Sequence, residues 1–244
     1  MRLPRSIDHR LKDAIVSFQF IPGVPSDTVV GYVHSLLKGH VQVAPSGQPA
    51  MMELKQLPFI IENRSFFFVT SDGNFRVDVE PQTITFNLIQ GYAGWATYRE
   101  VVQTCLTPLV QHGVIQSISR LGIRYISQFD GLHILDHIRA TVRLELPGSP
   151  AELQSQVRFE FTADDLQAVI TLVDGYPTQP ARSVLSDASF FSLIDIDVIH
   201  YFDTSQPNLA EKVLSVLERA HHYEKTLFFG LLNPDFLETL NPVY

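Results

Sequence analysis

Residues 117–129 read SISRLGIRYISQF, and their reading decides the fold. Leu121, Ile123 and Tyr125 recur at a spacing of two, and Arg120, Gly122 and Arg124 occupy the alternate positions. That is the pattern of a strand with one apolar and one wet face, the form taken in antiparallel sheets, since strands of parallel sheets are buried on both sides. The same stretch poses a chemical question, because two arginines share one side of a strand in an acidic chain.

Working outward, AIVSFQFIP places Ala14, Val16, Phe18 and Phe20 on one face of a strand that Pro22-Gly23 stops. SDTVVGYVHSLLKGH has helical spacing, with Ser26 as its N-cap and Gly39 as its terminator. VQVAPSGQPAMMELKQLPF reads as a short strand and an irregular connection. Asp72-Gly73 lies between alternating runs in FFFVTSDGNFRVDVEPQTITFNLI, a strong hairpin signal, and three antiparallel strands are expected there. The helix in GWATYREVVQTCLTPLVQHG buries Trp95, Tyr98, Val101, Val102, Cys105, Leu106 and Leu109, with Pro108 expected to kink or end it early.

Beyond the opening stretch, strands are expected in RATVRLELP (139–147), QVRFEF, QAVITLV and FFSLIDIDVIHYFD, with a surface loop over GYPTQPARSVLSDAS. A long helix closes the chain: Pro207 suits its first turn, Asn208 and Glu211 have capping-box spacing, and Leu209, Val213, Val216, Leu217, Ala220 and Leu227 form its stripe. The expected class is α+β, a large, mostly antiparallel curved sheet or two sheets with helices packed on one face. A strand, a meander and a helix occur in each of residues 1–116 and 117–244, which suggests a diverged duplication of a β-α-βββ-α unit within one continuous globular body.

Composition bounds the function. A net charge of −8 and 18% charged residues give no electrostatic footprint for general nucleic-acid binding. The lone Cys105 excludes an internal disulfide and fits a reducing cytoplasm, where a buried, inert thiol is expected. The N-terminus lacks an apolar run of leader length and no window approaches 18 apolar residues, so a cytoplasmic chain without a membrane span is expected.

Asp195 and Asp197 in LIDIDVI share a strand face, a spacing that would let two carboxylates hold a divalent cation for nucleotidyl transfer. Alternating aspartates are more often the solvated side of a strand, and then Arg120 and Arg124 are their ion-pair partners, with Tyr125 a further contact candidate. HILDH, with His133, Asp136 and His137, has a spacing that would place two imidazoles on one helical face as zinc ligands, although a polar turn fits its context better. His221-His222 point apart on their helix. Phe228, Phe229, Phe236 and Leu240 either dock the tail on its own domain or form a partner or homodimer surface. Serine-elbow, P-loop and dinucleotide motifs are missing, and no cofactor is expected.

DAIVSFQF, RLGIRYIS and LIDIDVI together resemble a sporadically distributed, uncharacterised prokaryotic protein family known only as a numbered hypothetical group. Arg124, Tyr125 and Ile126 match its middle motif, while Ser127 stands where the family usually carries Asn, so a role for that amide does not carry over. The resemblance implies no activity; its scattered distribution is that of mobile cassettes such as toxin-antitoxin or phage-defence operons. The expectation is a non-enzymatic, cytosolic protein-binding component, an accessory or neutralising protein of such a cassette. The alternatives are a metal-dependent nuclease or nucleotide-processing enzyme using Asp195 and Asp197, and a small-ligand sensor with its ligand between sheet and helices.

Overall fold

The computed structural model describes residues 3–8, 10–37, 40–42, 66–70, 72–141, 154–178, 190–203 and 208–244, with backbone alone for 40–42. The chain is α+β, with a large antiparallel open sheet and helices. It divides into two compact units. Ile15–Gly122 and Tyr201–Leu217 form the amino-half unit, and Met1–Ala14, Ile123–His200 and Glu218–Tyr244 form the carboxy-half unit.

In the amino-half unit the elements are β1 (Leu11–Pro22), α1 (Ser26–Leu37), β2 (His40–Gln42), β3 (Phe66–Val69), β4 (Phe75–Glu80), β5 (Thr83–Leu88) and α2 (Trp95–Gln111), joined by the first part of β6 (Ile115–Asp130). Their strand order is β2-β3-β4-β5-β1-β6. Ala14, Val16, Phe18 and Phe20 of β1 are buried, and β5 continues that dry face with Ile84 and Phe86. Helix α2 closes over it: the Tyr98 hydroxyl donates to the Phe86 carbonyl at 2.6 Å and its ring meets Phe75. The β3–β4 turn is held by Asp72, which accepts from the Thr70 hydroxyl, the Asn74 N–H and the Asn74 amide. Gly73 takes the positive φ of 73° that this turn requires. Those contacts, Thr70 first, hold the Asp72 carboxyl below its usual range.

Pro108 neither ends nor shortens α2, which runs on to Gln111. Proline removes one N–H bond and strains one carbonyl. Cys105, Leu106 and Leu109, all buried around it, hold the last turn against the core. The His112 N–H then bonds the Pro108 carbonyl, and Gly113 follows at φ 69°.

The carboxy-half unit has the strand order β6-β9-β8-β7, with β7 at Ser155–Ala163, β8 at Leu166–Pro177 and β9 at Phe190–Tyr201. Helix α3 (Leu209–Leu231) and short α4 (Pro234–Thr239) complete the chain. From Leu121 to Phe129 the odd positions of β6 are buried, and Phe129 meets Phe236 of α4. The tail also folds back on the N-terminus, where the Val243 N–H bonds the Ser6 carbonyl at 2.9 Å.

The two halves repeat one order: β1 lies beside β5, then β4 and β3, and β6 lies beside β9, then β8 and β7. Where the amino half inserts α1, the described part of the carboxy half has a 3₁₀ turn at Ile134–His137. Of the strand expected over 139–147, Arg139 to Thr141 are not strand and the remainder lies outside the described residues, as do Pro207 and most of the 175–189 loop. Helix α3 begins at Leu209, where the Lys212 N–H bonds the Asn208 carbonyl.

One close approach joins β1 to β6. The Gly23 N–H donates to the Val114 carbonyl at 2.9 Å, and a Cβ on Gly23 would overlap the Gly113 carbonyl. Gly23→Ala should therefore lower stability by about 1–3 kcal/mol in denaturant unfolding. Gly31→Ala, in α1 with open space around it, should raise stability by about 0.5–1 kcal/mol.

Candidate functional site

On the wet face of the carboxy-half sheet, Arg124 of β6 meets Asp195 of β9 as a fork, Nε to Oδ1 at 2.8 Å and Nη2 to Oδ2 at 2.6 Å. Asp195 is 16% exposed at its side chain and Arg124 44%. The Asp195 bonds raise the Arg124 pKa, and the charges of Asp197 and Asp13 add to the shift. Asp13 itself is pushed up by burial, and its Oδ1 has no hydrogen-bond partner. Both Asp195 oxygens thus face a guanidinium, in the place a divalent cation would need. No group of three His, Cys, Asp or Glu among the described residues is arranged to hold a metal.

Gly122 explains the spacing of the arginines. In the amino-half unit the Arg120 guanidinium lies over Gly122 and donates to Ser17 Oγ at 3.3 Å; a Cβ there would come within 3.0–3.1 Å of both Arg120 nitrogens. The wet face of that unit carries its own charge network, in which Arg76 Nε and Nη2 both donate to Oδ1 of Asp78, at 2.9 and 2.6 Å, and Asn87 donates to Oδ2. Tyr125 points the other way: it is buried, with its ring 5.8 Å from His221 of α3, so it does not join Arg124 and Asp195.

The HILDH residues separate. His133 Nδ1 pairs with Asp174 Oδ2 at 2.9 Å and its ring stacks on Phe190, while His137 stacks on Phe236. They share no metal geometry, because the segment forms a 3₁₀ turn and not the α-helix that would place the two on one face. Asp174 was invisible to motif reading. The β8–β9 register slips between Val173 and Tyr176, Gly175 takes φ 68°, and this bulge turns Asp174 inward. There it accepts from the Leu135 N–H and the Ser192 hydroxyl as well as His133. The single Ser192 hydroxyl proton is shared between Asp174 Oδ1 at 3.1 Å and the Leu132 carbonyl at 2.6 Å, so it is not directed at the imidazole as in a hydrolase. The cluster fastens the 131–135 loop to β8.

Of the two placements the sequence left open for the tail, the structure has the docked one. Phe228, Phe229, Phe236 and Leu240 are all buried, so they supply core and not a partner surface. Sequence periodicity also passed over Glu224, which follows Val213, Leu217 and Ala220 and precedes Phe228 on the inner stripe of α3. Burial pushes its carboxyl up to about 8. Burial, then the charges of Lys225 and His222, pull His221 down to about 3. Cys105 is buried with its thiol pushed up to about 12, which leaves it protonated and unreactive.

Among the described strands β7 is exposed along most of its length. It pairs antiparallel with β8 along all nine of its residues and is the outermost strand of the sheet among the described residues. Phe159 and Phe161 oppose the buried Ile170 and Ala168 yet are 38% and 39% exposed. Arg219 of α3 forks Asp165 at the β7–β8 turn, holds that carboxyl below its usual range, and so fixes the hairpin.

No described helix is long and apolar enough to cross a membrane. Compared with models of known protein families, with curated proteins and with solved structures, the chain matches none.

The fork should be measurable as a coupling. In a cycle of Arg124→Ala, Asp195→Ala and the double variant, unfolding should give a coupling of about 1 kcal/mol or less, falling with salt. Asp195→Asn should lower the melting temperature, with Mg²⁺ or Mn²⁺ restoring nothing.

The buried pair of titrating groups should shape the pH profile. Glu224 stays protonated in the fold up to about 8 but ionises in the unfolded chain above 4.5, so its share of stability falls as pH rises through that window. His221 stays neutral in the fold down to about 3 but protonates in the unfolded chain below 6.5, so its share falls as pH drops from there. Their combined contribution is flat from 4.5 to 6.5 and declines on either side, by at most about 1.4 kcal/mol per pH unit for each group. Chemical unfolding of Glu224→Gln should show the alkaline decline removed and the acid decline kept.

Proposed function

We propose that this chain is a non-enzymatic protein-binding component that works through the edge strand β7. The observation that carries the reading is the exposure of Phe159 and Phe161 on a strand that is outermost among the described residues, whose nine residues contain neither Pro nor Lys and carry only Arg158 and Glu160 as charges. Proteins ordinarily guard such edges with those residues, with bulges or with a covering segment, because unpaired backbone groups beside apolar side chains recruit another strand. The Arg219–Asp165 fork ties the turn of this hairpin to α3.

The aspartates do not favour the nuclease reading, since Arg124 neutralises Asp195. The setting we propose is an accessory or neutralising role in a mobile toxin-antitoxin or phage-defence cassette; it rests on the resemblance of the DAIVSFQF, RLGIRYIS and LIDIDVI motifs.

Recovered from its native cell with neighbouring genes intact, the chain should migrate as a stoichiometric complex. Phe159→Asp and Phe161→Asp should dissociate it; each side chain is more than half covered on its own strand face, so each should also lower the unfolding free energy by about 1–2 kcal/mol while cooperative melting shows the fold retained. A chain that migrates alone, or a complex indifferent to both substitutions, removes this reading.

A further inference from the structure

The sequence of β7 matches itself. When SQVRFEFTA is laid antiparallel against a second copy and centred on Phe159, every position meets a compatible partner. Arg158 faces the second copy's Glu160 and Glu160 faces its Arg158. Phe159 faces Phe159, Val157 faces Phe161, and Gln156 faces Thr162. Both ends of the strand are used, because Phe159 is its midpoint.

Neighbouring registers lose this match. Because side chains alternate, apolar faces stay together only if the centre stays on a residue opposed to itself. Centring on Arg158 would set Arg158 against Arg158, and centring on Glu160 would set Glu160 against Glu160; like charges directly opposite are destabilising. The charges therefore select one register as well as permitting it. Arg158 and Glu160 are both about half exposed; they lie 3.4 Å apart along the strand, and Glu160 also accepts from Gln167 of β8, so the pairing would exchange these weak exposed contacts for cross-strand ones.

We infer that β7 pairs with β7 of a second copy of this chain, making a two-fold symmetric dimer whose sheet continues across the junction. This inference rests on the protein-binding reading of the edge and names its occupant. The pairing would satisfy the outward backbone groups of β7, which pair with no other described strand, bring Phe159 against its counterpart, and close the contact on itself, as a two-fold interface must.

The experiment is sedimentation of the purified full-length chain over a dilution series, with charge-reversed variants. The wild-type chain should dimerise. Arg158→Glu alone and Glu160→Arg alone should each weaken the dimer about tenfold or more, because each turns two attractive pairs repulsive. The double variant R158E/E160R should recover the dimer. An equimolar mixture of the two single variants should form a heterodimer, because each supplies the charge the other needs.

Amide exchange should slow in residues 155–163 at dimer-forming concentrations and nowhere else in β8 or β9. Thermal melts of the variants, matching wild type, show that the fold is intact. A wild-type chain that is monomeric throughout overturns the inference, as does a dimer indifferent to the reversals. If that monomer still yields a complex from native cells that Phe159→Asp breaks, the edge binds a different protein. The protein-binding reading then stands without this inference.

Discussion

Each strand must put one row of side chains into a dry layer and the other into a wet one, and the rest of the structure follows from that constraint. Burial alternates cleanly along β1, β4, β5 and most of β9, and along β6 from Leu121 to Phe129. Nothing about an isolated strand holds it in one register. A slip of one residue would send Ile123 and Tyr125 into water and Arg124 into the core, a cost of several kcal/mol that fixes the pairing.

The wet face then needs its own solution, because charges placed side by side on a sheet repel or attract within a few ångströms. Arg124 with Asp195 in the carboxy-half unit, and Arg76 with Asp78 and Asn87 in the amino-half unit, are forked or networked arrangements on the wet face of each. Such pairs add little to stability when exposed, but they set which strand may lie beside which. The arginines of the middle strand therefore serve the sheet. Gly122 between them lets one guanidinium lie flat over the backbone.

The dry face is sealed by aromatic contacts from the helices: α2 through Tyr98, α3 through His221 and α4 through Phe236. On β7 the seal is incomplete, and two phenylalanines of core phase are left partly in water. The apolar tail goes into the chain's own core, as Phe228, Phe229 and Leu240 show, whereas Phe159 and Phe161 stay partly open on β7. Apolar surface of this kind is more often explained by association than by chance.

The order of elements, the antiparallel class, the Asp72-Gly73 turn and the inner residues of β1, β6 and β9 were legible in the sequence, because each depends on local chemistry: period-two burial, turn-forming residues and helical stripes. The choice of partners was not. Arg124 could have met several aspartates, and strand adjacency picked Asp195. His133 stood beside His137 in sequence and in the fold found Asp174, which a bulge had turned inward. Pro108 looked like a helix end until the buried Cys105, Leu106 and Leu109 held its last turn. Glu224 sits on an apolar stripe that composition alone would have interrupted, and only packing shows the carboxyl to be inside. Local pattern determines which face a residue prefers, whereas the neighbour it finds across that face depends on contacts between residues far apart in the chain, and those exist only once the sheet is assembled.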